Sequence, residues 1–348
     1  MSRILSGIRP SGQLHLGNYL GAIKQWIALQ DQHQAFFMVA DLHAITTPYE
    51  VESLQPQIRE TILDYLAAGL DPAKTTLFIQ SQVPAHAELM WLLSTITPIG
   101  ELQRMVQYKE KSAANPDFQN AGILNYPILM AADILAYKAD RVPVGDDQGQ
   151  HVELARDVAK KFNRLFGQTF PEPLAVFGGG KRIMSLANPM EKMSKTGGEG
   201  IALTDEESTI KKKIQKAVST SEPRVIREAF RAAEQGERGP EIQWQGDPTL
   251  LKQFHGVRNL FTILLVLGLP KDTAQWKAAA EAGKIQFSQF KPTLATIIAE
   301  HFAPFRARRE QLAKDETFVR GVIDEGGLKA NQVAEQTLAE VQAKMGLR

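Results

Sequence analysis

The chain has 348 residues, of which 43% are hydrophobic and 23% are charged, and 40 Lys and Arg nearly balance 39 Asp and Glu. This length predicts two domains, and the composition is that of a globular protein rather than a disordered or fibrous one. Because the sequence contains no cysteine, disulfides, CxxC zinc sites, iron-sulfur clusters and cysteine nucleophiles are excluded, while the net charge gives no sign of nucleic-acid binding.

The N-terminal half predicts alternating strands and helices. A short strand from Ile4 is followed by a loop rich in glycine, proline and serine, and then by a helix around Leu20. Segments 35–40 and 75–80 predict buried strands, and residues 50–69 between them predict a helix that ends at Gly-Leu-Asp-Pro. The βαβαβ order predicts an α/β fold with a doubly wound, Rossmann-like parallel sheet, whose ligands bind beyond the carboxyl ends of the strands.

Strand signals fade beyond about residue 203. Helical periodicity instead marks four segments, which are residues 206–218, 249–267, 294–313 and 330–345. Residues 224–247 are polar and interrupted by glycine and proline, so they predict a partly ordered insertion. We therefore predict an α/β domain at 1–187, a mobile loop and linker at 188–203, and an all-helical domain at 204–348 with a polar insertion near 224–247.

The N-terminus and the apolar runs bear on location. Residues 1–12 reach glycine and proline too early for a secretory signal, so none is expected. The longest apolar run, residues 260–269, is shorter than the ~20 residues that span a bilayer, so we predict a core helix and no membrane association. The absence of cysteine fits a cytoplasmic location.

The loop after the first strand contains regularly spaced glycines and the sequence HLGN. His15 and Asn18 flank the start of the next predicted helix, where backbone N–H groups and the positive helix end favour a phosphate. Neither a GxxxxGKS/T nor a GxGxxG pattern occurs, which disfavours a Walker loop or a dinucleotide site. A glycine-rich connector in which His15 only caps the helix is an equal alternative at this point.

A second motif, MEKMSKTGGEG, occupies residues 190–200. Lys192 and Lys195 flank Ser194, and the following glycines predict a mobile basic loop. Such a loop can neutralise the charge that develops on departing pyrophosphate. Taken alone, the motif favours an exposed linker with solvated lysines.

The two motifs occur in an order that resembles class I aminoacyl-tRNA synthetases, with HLGN after the first strand and KMSKT at the end of the α/β half. Several further segments resemble bacterial tryptophanyl-tRNA synthetases, namely GIRPSGQLHLGNYLGA, DLHAIT, GELQRMVQYKEKS, YPILMAADILAY, VPVGDDQGQH, RIMSLANPMEKMSKT and DEGGLKANQVAEQTL. The resemblance implies ATP-dependent activation of tryptophan, with Mg²⁺ on the phosphates, and its transfer to tRNA(Trp). It also implies a cytoplasmic homodimer whose helical half binds the anticodon.

The resemblance assigns candidate residues position by position. Those implied to be catalytic are His15, Asn18, Lys111, Lys192, Ser194 and Lys195. Those implied to contact ATP are Arg9, Pro10, Ser11, Gly17, Asn18, Gly145, Asp146, Asp147, Ile183, Lys192, Met193, Ser194 and Lys195. Those implied to contact tryptophan are Leu5, Gly7, His43, Tyr126, Met130, Asp133, Val142, Val144 and Gln148. Two positions depart from the family pattern, since Arg9 replaces a frequent Gln and Thr196 replaces the last Ser of KMSKS.

Asp133 lies among apolar residues, where an ionised carboxylate needs a donor. An indole N–H is only a donor, so a fixed carboxylate would favour tryptophan over phenylalanine. From spacing alone, Asp133 could equally cap a helix or pair with a structural cation such as Lys138. The resemblance favours indole recognition, with no metal held by protein side chains.

Three other functions compete with this interpretation. A tyrosyl-tRNA synthetase would need a pocket for a phenol, and the MAAD setting of Asp133 disfavours it. A catalytically silent paralogue that binds RNA is disfavoured by the intact signature motifs. A nucleotidyltransferase that acts on a small phosphate ester would not need the helical region beyond residue 203.

Overall fold

The computed structural model describes residues 2–114, 119–178, 183–193, 200–236 and 247–347, without the side chains of Lys111, Ser112, Ala114 and Asp146. The chain forms two compact units. The first, unit 1, comprises Met1–Gly12, Lys24–Gly178 and Gln311–Arg348. The second, unit 2, comprises Gln13–Ile23 and Gly179–Glu310.

Unit 1 is built on a parallel sheet, which has five strands within the described ranges. The strands are β1 (Arg3–Ile8), β2 (Gln34–Val39), β3 (Thr75–Ile79), β4 (Arg141–Val144) and β5 (Leu174–Phe177). Their spatial order is β3-β2-β1-β4-β5, and every pairing between them is parallel. The order reverses direction between β1 and β4, as in a doubly wound sheet, so the predicted fold class is confirmed.

Helices connect the strands of unit 1 and make up most of the rest of the described chain. In order they are α1 (Leu16–Asn18), α2 (Lys24–Leu29), α3 (Asp41–Ala44), α4 (Val51–Ala68), α5 (Ala85–Ser94), α6 (Ile99–Arg104), α7 (Val106–Ala114), α8 (Ala121–Ala136), α9 (Gly149–Phe166), α10 (Glu207–Gln215), α11 (Pro223–Gln235), α12 (Pro248–Leu267), α13 (Pro270–Glu281), α14 (Phe287–His301), α15 (Ala303–Lys314) and α16 (Glu316–Lys344). A π-helical turn spans Tyr19–Ile23, and 3₁₀ turns span Gln80–Gln82 and Asp146–Gln148.

Helix α8 is the central helix of unit 1. Its sequence AGILNYPILMAADILA is almost wholly apolar, which suits a helix buried on most sides. It packs against α5, α9 and β1. Its buried residues share one hydrophobic cluster with Leu5 of β1, Phe36 of β2 and Phe78 of β3. A polar side chain on the inner face of α8 is therefore held firmly by its surroundings.

Helix α16 returns the end of the chain to β3, α5 and α8 of unit 1. Its Gly326 approaches the backbone of β3 so closely that an added Cβ would lie 1.7 Å from the carbonyl oxygen of Leu77. Only glycine allows this approach. The compact units consequently do not coincide with the boundaries predicted at 187 and 203, because residues 311–348 pack with residues 1–12 and 24–178.

Unit 2 is helical in its described residues beyond 203, where α11 packs on α12 and α10 packs on α14. The insertion predicted from residue 224 is wrong for residues 224–235, which belong to α11. This helix buries Val225, Ile226, Ala229 and Phe230 and ends at Gly236, with φ 70°. Its apolar positions recur at helical spacing, and this outweighs its high charge. The rest of the predicted insertion, 237–246, lies outside the described residues.

Two further predictions concern single helices of unit 2. The helix expected over 294–313 is instead divided between α14 and α15 at Phe302. Helix α12 is long and apolar enough, by length and composition, to cross a membrane. Its Phe254, Leu260 and Phe261 are nevertheless buried within unit 2, so the predicted core helix is confirmed.

Candidate active site

The HLGN turn in unit 2 is held by reciprocal capping. Asn18 N–H donates to His15 Nδ1 at 3.3 Å, and His15 N–H donates to Asn18 Oδ1 at 3.2 Å. A Cβ on Gly17 would lie 2.9 Å from His15 Cε1, so this turn requires glycine. His15 therefore does cap the helix, as the structural alternative predicted. The cap also fixes chemistry, because a neutral imidazole that accepts at Nδ1 carries its proton at Nε2.

The same turn contacts the described residues on either side of segment 194–199 of the lysine motif, and all of these residues belong to unit 2. Leu16 N–H donates to the Ile201 carbonyl oxygen at 2.8 Å, and His15 pairs with Ala202 in an antiparallel bridge. Gly17 lies beside Met193, since its added Cβ would be 3.6 Å from Met193 Cβ. The first motif and the flanks of the second therefore form one local structure.

The lysine motif is described only in part. Lys192 is exposed and pairs with Met184 in a second antiparallel bridge. Met193 is buried and donates its backbone N–H to the Ile183 carbonyl oxygen at 3.2 Å. Three residues singled out from the sequence, Ser194, Lys195 and Thr196, lie outside the described residues.

In unit 1, Asp133 is the centre of a buried polar cluster. Its Oδ1 accepts from Gln80 Nε2 at 2.8 Å and contacts His86 Nδ1 at 2.5 Å. Its Oδ2 contacts His43 Nε2 at 2.7 Å. None of the Asp133 side chain is exposed. A helix cap and a pair with Lys138 are both wrong for Asp133, because it lies inside α8 rather than at an end, and Lys138 pairs with Glu340 at 2.6 Å. Its ionisable partners are instead His43 and His86.

These partners keep Asp133 ionised. Burial by itself raises the pKa of the carboxyl, but the charge and hydrogen bonds of His43, together with those of His86, outweigh burial and bring the pKa down to about 2. Behind His86, the Tyr137 hydroxyl lies 2.7 Å from Nε2. Burial, reinforced by the charge of Asp133, raises the pKa of Tyr137 well above its ordinary value, so its hydroxyl stays protonated.

Tyr126 lies on the other side of His43. The two rings meet edge to face with centroids 6.3 Å apart, and the Tyr126 hydroxyl lies 2.9 Å from His151 Nε2. Burial raises the pKa of Tyr126, while the positive charge of Arg9 acts in the opposite direction. The structure thus brings together three of the predicted residues, His43, Tyr126 and Asp133, and places the Arg9 charge close to them.

The predicted apolar walls belong to the same region of unit 1. Leu5 and Val142 are buried in the hydrophobic cluster that contains α8, and Met130 and Val144 are partly buried against it. Gly7 is exposed at the carboxyl half of β1, where an added Cβ would lie 2.6 Å from Met38 Cγ. These apolar residues and Asp133 of α8 therefore belong to one region of unit 1.

The remaining predicted positions of unit 1 lie in loops and turns. Gly145 and Asp147 are exposed in the turn after β4, where Gln148 Nε2 donates to Asp147 Oδ2 at 2.9 Å. Arg9 and Ser11 are exposed after β1, and Pro10 is buried. The side chains of Lys111 and Asp146 lie outside the described residues. Both turns follow the carboxyl ends of strands, as expected for a doubly wound sheet.

Four polar residues of the cluster were not identified from the sequence, namely Gln80, His86, Tyr137 and His151. Gln80 and His86 lie 53 and 47 residues from Asp133, so no local pattern connects them to it. Tyr137 and His151, by contrast, end the segments YPILMAADILAY and VPVGDDQGQH. Their position in these segments was the available signal.

Comparisons with known proteins agree on one family. The family model for class I tRNA synthetases (W and Y) matches residues 1–237. A tryptophan–tRNA ligase of Caldanaerobacter subterraneus subsp. tengcongensis is 43% identical over 353 residues, covering 100% of this chain and 99% of the relative. The curated relative therefore matches from end to end.

Solved structures give the same result. The tryptophanyl-tRNA synthetase of Mycoplasma pneumoniae is 35% identical with a TM-score of 0.83, covering 100% of this chain and 98% of that one. The enzyme of Campylobacter jejuni, solved in complex with ADP and tryptophan, is 30% identical with a TM-score of 0.79, covering 99% and 100%. On these matches in sequence and in fold, the chain belongs to the class I tRNA synthetases of the tryptophan and tyrosine group.

Proposed function

We propose that this chain activates L-tryptophan with MgATP, releasing pyrophosphate, and transfers the tryptophanyl group to the terminal adenosine of tRNA(Trp). The ligase activity follows from full-length relatives named tryptophan–tRNA ligase. The observation that carries the choice of amino acid is Asp133, an ionised carboxylate buried on the apolar helix α8. Such a group favours the binding of a flat side chain that carries one N–H donor.

In the proposed first step, the tryptophan carboxylate attacks the α-phosphorus of ATP and pyrophosphate leaves. No side-chain nucleophile is needed, because catalysis comes from in-line positioning and charge stabilisation. The capping turn supports a role for His15 and Asn18, whose accepting atoms are used by backbone N–H groups. His15 Nε2–H and Asn18 Nδ2–H are then the groups that can donate to phosphate oxygens.

The cationic side chains are proposed to act on the same charge. Lys192 and Lys195 would stabilise the leaving pyrophosphate, and Lys111 would contact the ATP phosphates. The bridge between Met184 and Lys192 supports this assignment, because it fixes the backbone at Lys192. The next residue, Met193, lies beside Gly17 of the HLGN turn. Lys195→Ala should therefore lower the rate of adenylate formation and leave the KM for tryptophan nearly unchanged.

The nucleotide and amino-acid contacts are proposed for unit 1. Arg9, Pro10 and Ser11 and the turn 145–148 would meet ATP, and the cluster around Asp133 would meet tryptophan. Arg9 departs from the family pattern, and its charge acts on the buried hydroxyl of Tyr126. We propose that this extra cation favours the anionic carboxylate and phosphates of the two substrates.

In the second step, the 2′-hydroxyl of the terminal adenosine attacks the carbonyl carbon of the adenylate, an ester forms and AMP leaves. The helical region beyond residue 203 binds the anticodon. Two lysines of α10 pair with carboxylates at 2.6 Å, Lys211 with Glu207 and Lys213 with Asp205. Exposed Lys212 and Lys216 are better candidates for phosphate contacts. A cytoplasmic homodimer is the proposed working form.

The test of the proposed function is amino-acid-dependent ATP–pyrophosphate exchange, with each of the twenty amino acids supplied separately, in the presence of Mg²⁺ and the absence of tRNA. Exchange with tryptophan alone is expected. Exchange with tyrosine would overturn the assignment of Asp133, and no exchange with any amino acid would favour a catalytically silent paralogue.

A separate test addresses tRNA. Replacing Lys212 and Lys216 together with Ala should raise the KM for tRNA(Trp) in aminoacylation and leave pyrophosphate exchange unchanged, because phosphate contacts add affinity without entering the first step. The matched control replaces Lys277 with Ala, since this lysine is bound to Glu234 at 2.9 Å on the surface of unit 2. An unchanged KM in the double variant would remove these lysines from the tRNA site.

A further inference from the structure

The oxygens of Asp133 are not equivalent. A carboxylate accepts about four hydrogen bonds, two at each oxygen. Oδ1 has two partners, Gln80 Nε2 at 2.8 Å and His86 Nδ1 at 2.5 Å, whereas Oδ2 has one, His43 Nε2 at 2.7 Å. Oδ1 is therefore saturated, and the remaining acceptor position belongs to Oδ2.

Each partner of Oδ1 has a fixed donor. The Gln80 amide oxygen accepts from Leu42 N–H at 3.1 Å and His43 N–H at 3.4 Å, so its Nε2 must be the atom that faces Asp133. Gln80 thus joins the helix that carries His43 to the helix that carries Asp133. The orientation of this amide leaves no alternative in which its oxygen faces the carboxylate.

The ring of His86 is also held by a partner on the side away from Asp133. The ionised Asp133 carboxylate only accepts, so His86 Nδ1 is the protonated nitrogen that donates to Oδ1, and the Tyr137 hydroxyl holds the far side of the ring, 2.7 Å from Nε2. A hydrogen-bonded chain therefore links Tyr137, His86 and Oδ1 of Asp133. Gln80 and His86 are both completely buried, so water does not compete with these bonds.

Of the three side chains that contact the Asp133 carboxylate, that of His43 is the one exposed to solvent. The side chains of His86 and Asp133 are 0% exposed, whereas 10% of the His43 side chain is exposed. Since His43 is the one of these side chains that reaches solvent, we place the ligand on the side of Oδ2. The saturated oxygen faces the protein interior, and the oxygen with acceptor capacity faces His43.

We propose that Gln80 and His86 are positioning residues that set amino-acid specificity, because they saturate Oδ1 and so make Oδ2 of Asp133 the oxygen that receives the indole N–H. This inference rests on the proposed activation of tryptophan. Neither residue touches the substrate. They act through the orientation and ionisation of Asp133. Their loss therefore weakens the preference for an amino acid whose side chain carries an N–H donor.

The experiment compares tryptophan with its benzothiophene analogue, in which sulfur replaces the indole N–H, in ATP–pyrophosphate exchange. In the wild-type protein the analogue leaves a buried acceptor unsatisfied, so kcat/KM should fall by roughly 10- to 100-fold relative to tryptophan. His86→Gln places its amide nitrogen nearer the position of Nε2 and removes the donor to Oδ1. His86→Asn keeps an N–H near the position of Nδ1 and is the conservative control.

In His86→Gln we expect the KM for tryptophan to rise by roughly tenfold, the KM for ATP to stay within about twofold, and the preference for tryptophan over the analogue to shrink several-fold. In His86→Asn the preference should return to near the wild-type value. If His86→Gln keeps the wild-type preference, or weakens ATP and tryptophan equally, the inference is wrong and His86 is only structural.

Gln80→Met provides an independent variant of similar size that removes the second donor to Oδ1. It should reduce the same preference, and an unchanged preference would contradict the inference even if His86→Gln does not fold. Failure of the proposed function has a different signature, because the wild-type protein itself would then show no exchange with tryptophan.

Discussion

The ionised state of Asp133 makes a measurable contribution to stability. Its pKa in the folded chain is about 2, compared with an ordinary value of 3.8. This depression corresponds to about 2 kcal/mol of stability at neutral pH. Because the folded pKa is the lower one, the contribution is fully present above the unfolded pKa and is lost as pH falls towards the folded pKa. About 1 kcal/mol should already be lost at pH 3.

Asp133→Asn removes this titration while keeping the size of the side chain. The free energy of unfolding of the variant should lie about 2 kcal/mol below the wild-type value at pH 7, and this gap should narrow by about 1 kcal/mol at pH 3. Urea unfolding of both proteins at pH 3, 4, 5 and 7 measures the gap. A gap that stays constant over this range would refute the reasoning, because the ionised carboxylate would then not be the source of the stability.

The matched control is Asp31→Asn, which removes an exposed carboxylate that lies 2.7 Å from Lys74. The side chain of Asp31 is 60% exposed, and such surface pairs contribute little to stability. Its unfolding curves should follow those of the wild-type protein at every pH. A narrowing gap in this control would indicate a general acid effect rather than one specific to Asp133.

Gly326→Ala should destabilise unit 1 by about 3 kcal/mol or more, because the new Cβ meets the backbone of β3. The control is Gly321→Ala in the same helix, whose new Cβ meets nothing within 4 Å and which should stabilise the protein by about 0.5–1 kcal/mol. Equal urea midpoints for the two variants would contradict the close approach. Tyr65→Phe removes a buried hydroxyl that bonds to both β1 and β2, and thermal unfolding should show a loss of about 1–3 kcal/mol. Gly17→Ala should reduce kcat for pyrophosphate exchange by roughly tenfold or more, because the new Cβ displaces the capping histidine. Gly21→Ala, which meets nothing within 4 Å, is its control and should retain wild-type exchange.

Features that depend on neighbouring residues were predictable from the sequence. The strands from Ile4, at 35–40 and at 75–80 appear as β1, β2 and β3 within a residue or two, because apolar runs bounded by loops specify buried strands locally. The capping role of His15 followed from its position before a predicted helix. The role of Asp133, by contrast, came from the resemblance, since spacing alone left two structural alternatives open.

Features that depend on distant contacts were missed. Gln80 and His86 are isolated polar residues in the sequence, and only the packing of α5 and α8 brings His86 to Asp133. Helix α11 was missed because charged residues mask its apolar face, and the glycines of α16 gave no sign of a helix that begins at Glu316. In α16, close packing on β3 outweighs the low helix propensity of glycine.

The return of α16 to unit 1 has a consequence for synthesis on the ribosome. Residues 179–310, a stretch of 132 residues by position, separate the first part of unit 1 from its last helix. At roughly 5–20 residues per second, translation of this stretch takes about 7 to 26 seconds. During this interval the edge strand β3 and the faces of α5 and α8 that α16 covers belong to an unfinished domain. A nascent chain paused in this interval is therefore the form of the protein most exposed to aggregation and most dependent on chaperones.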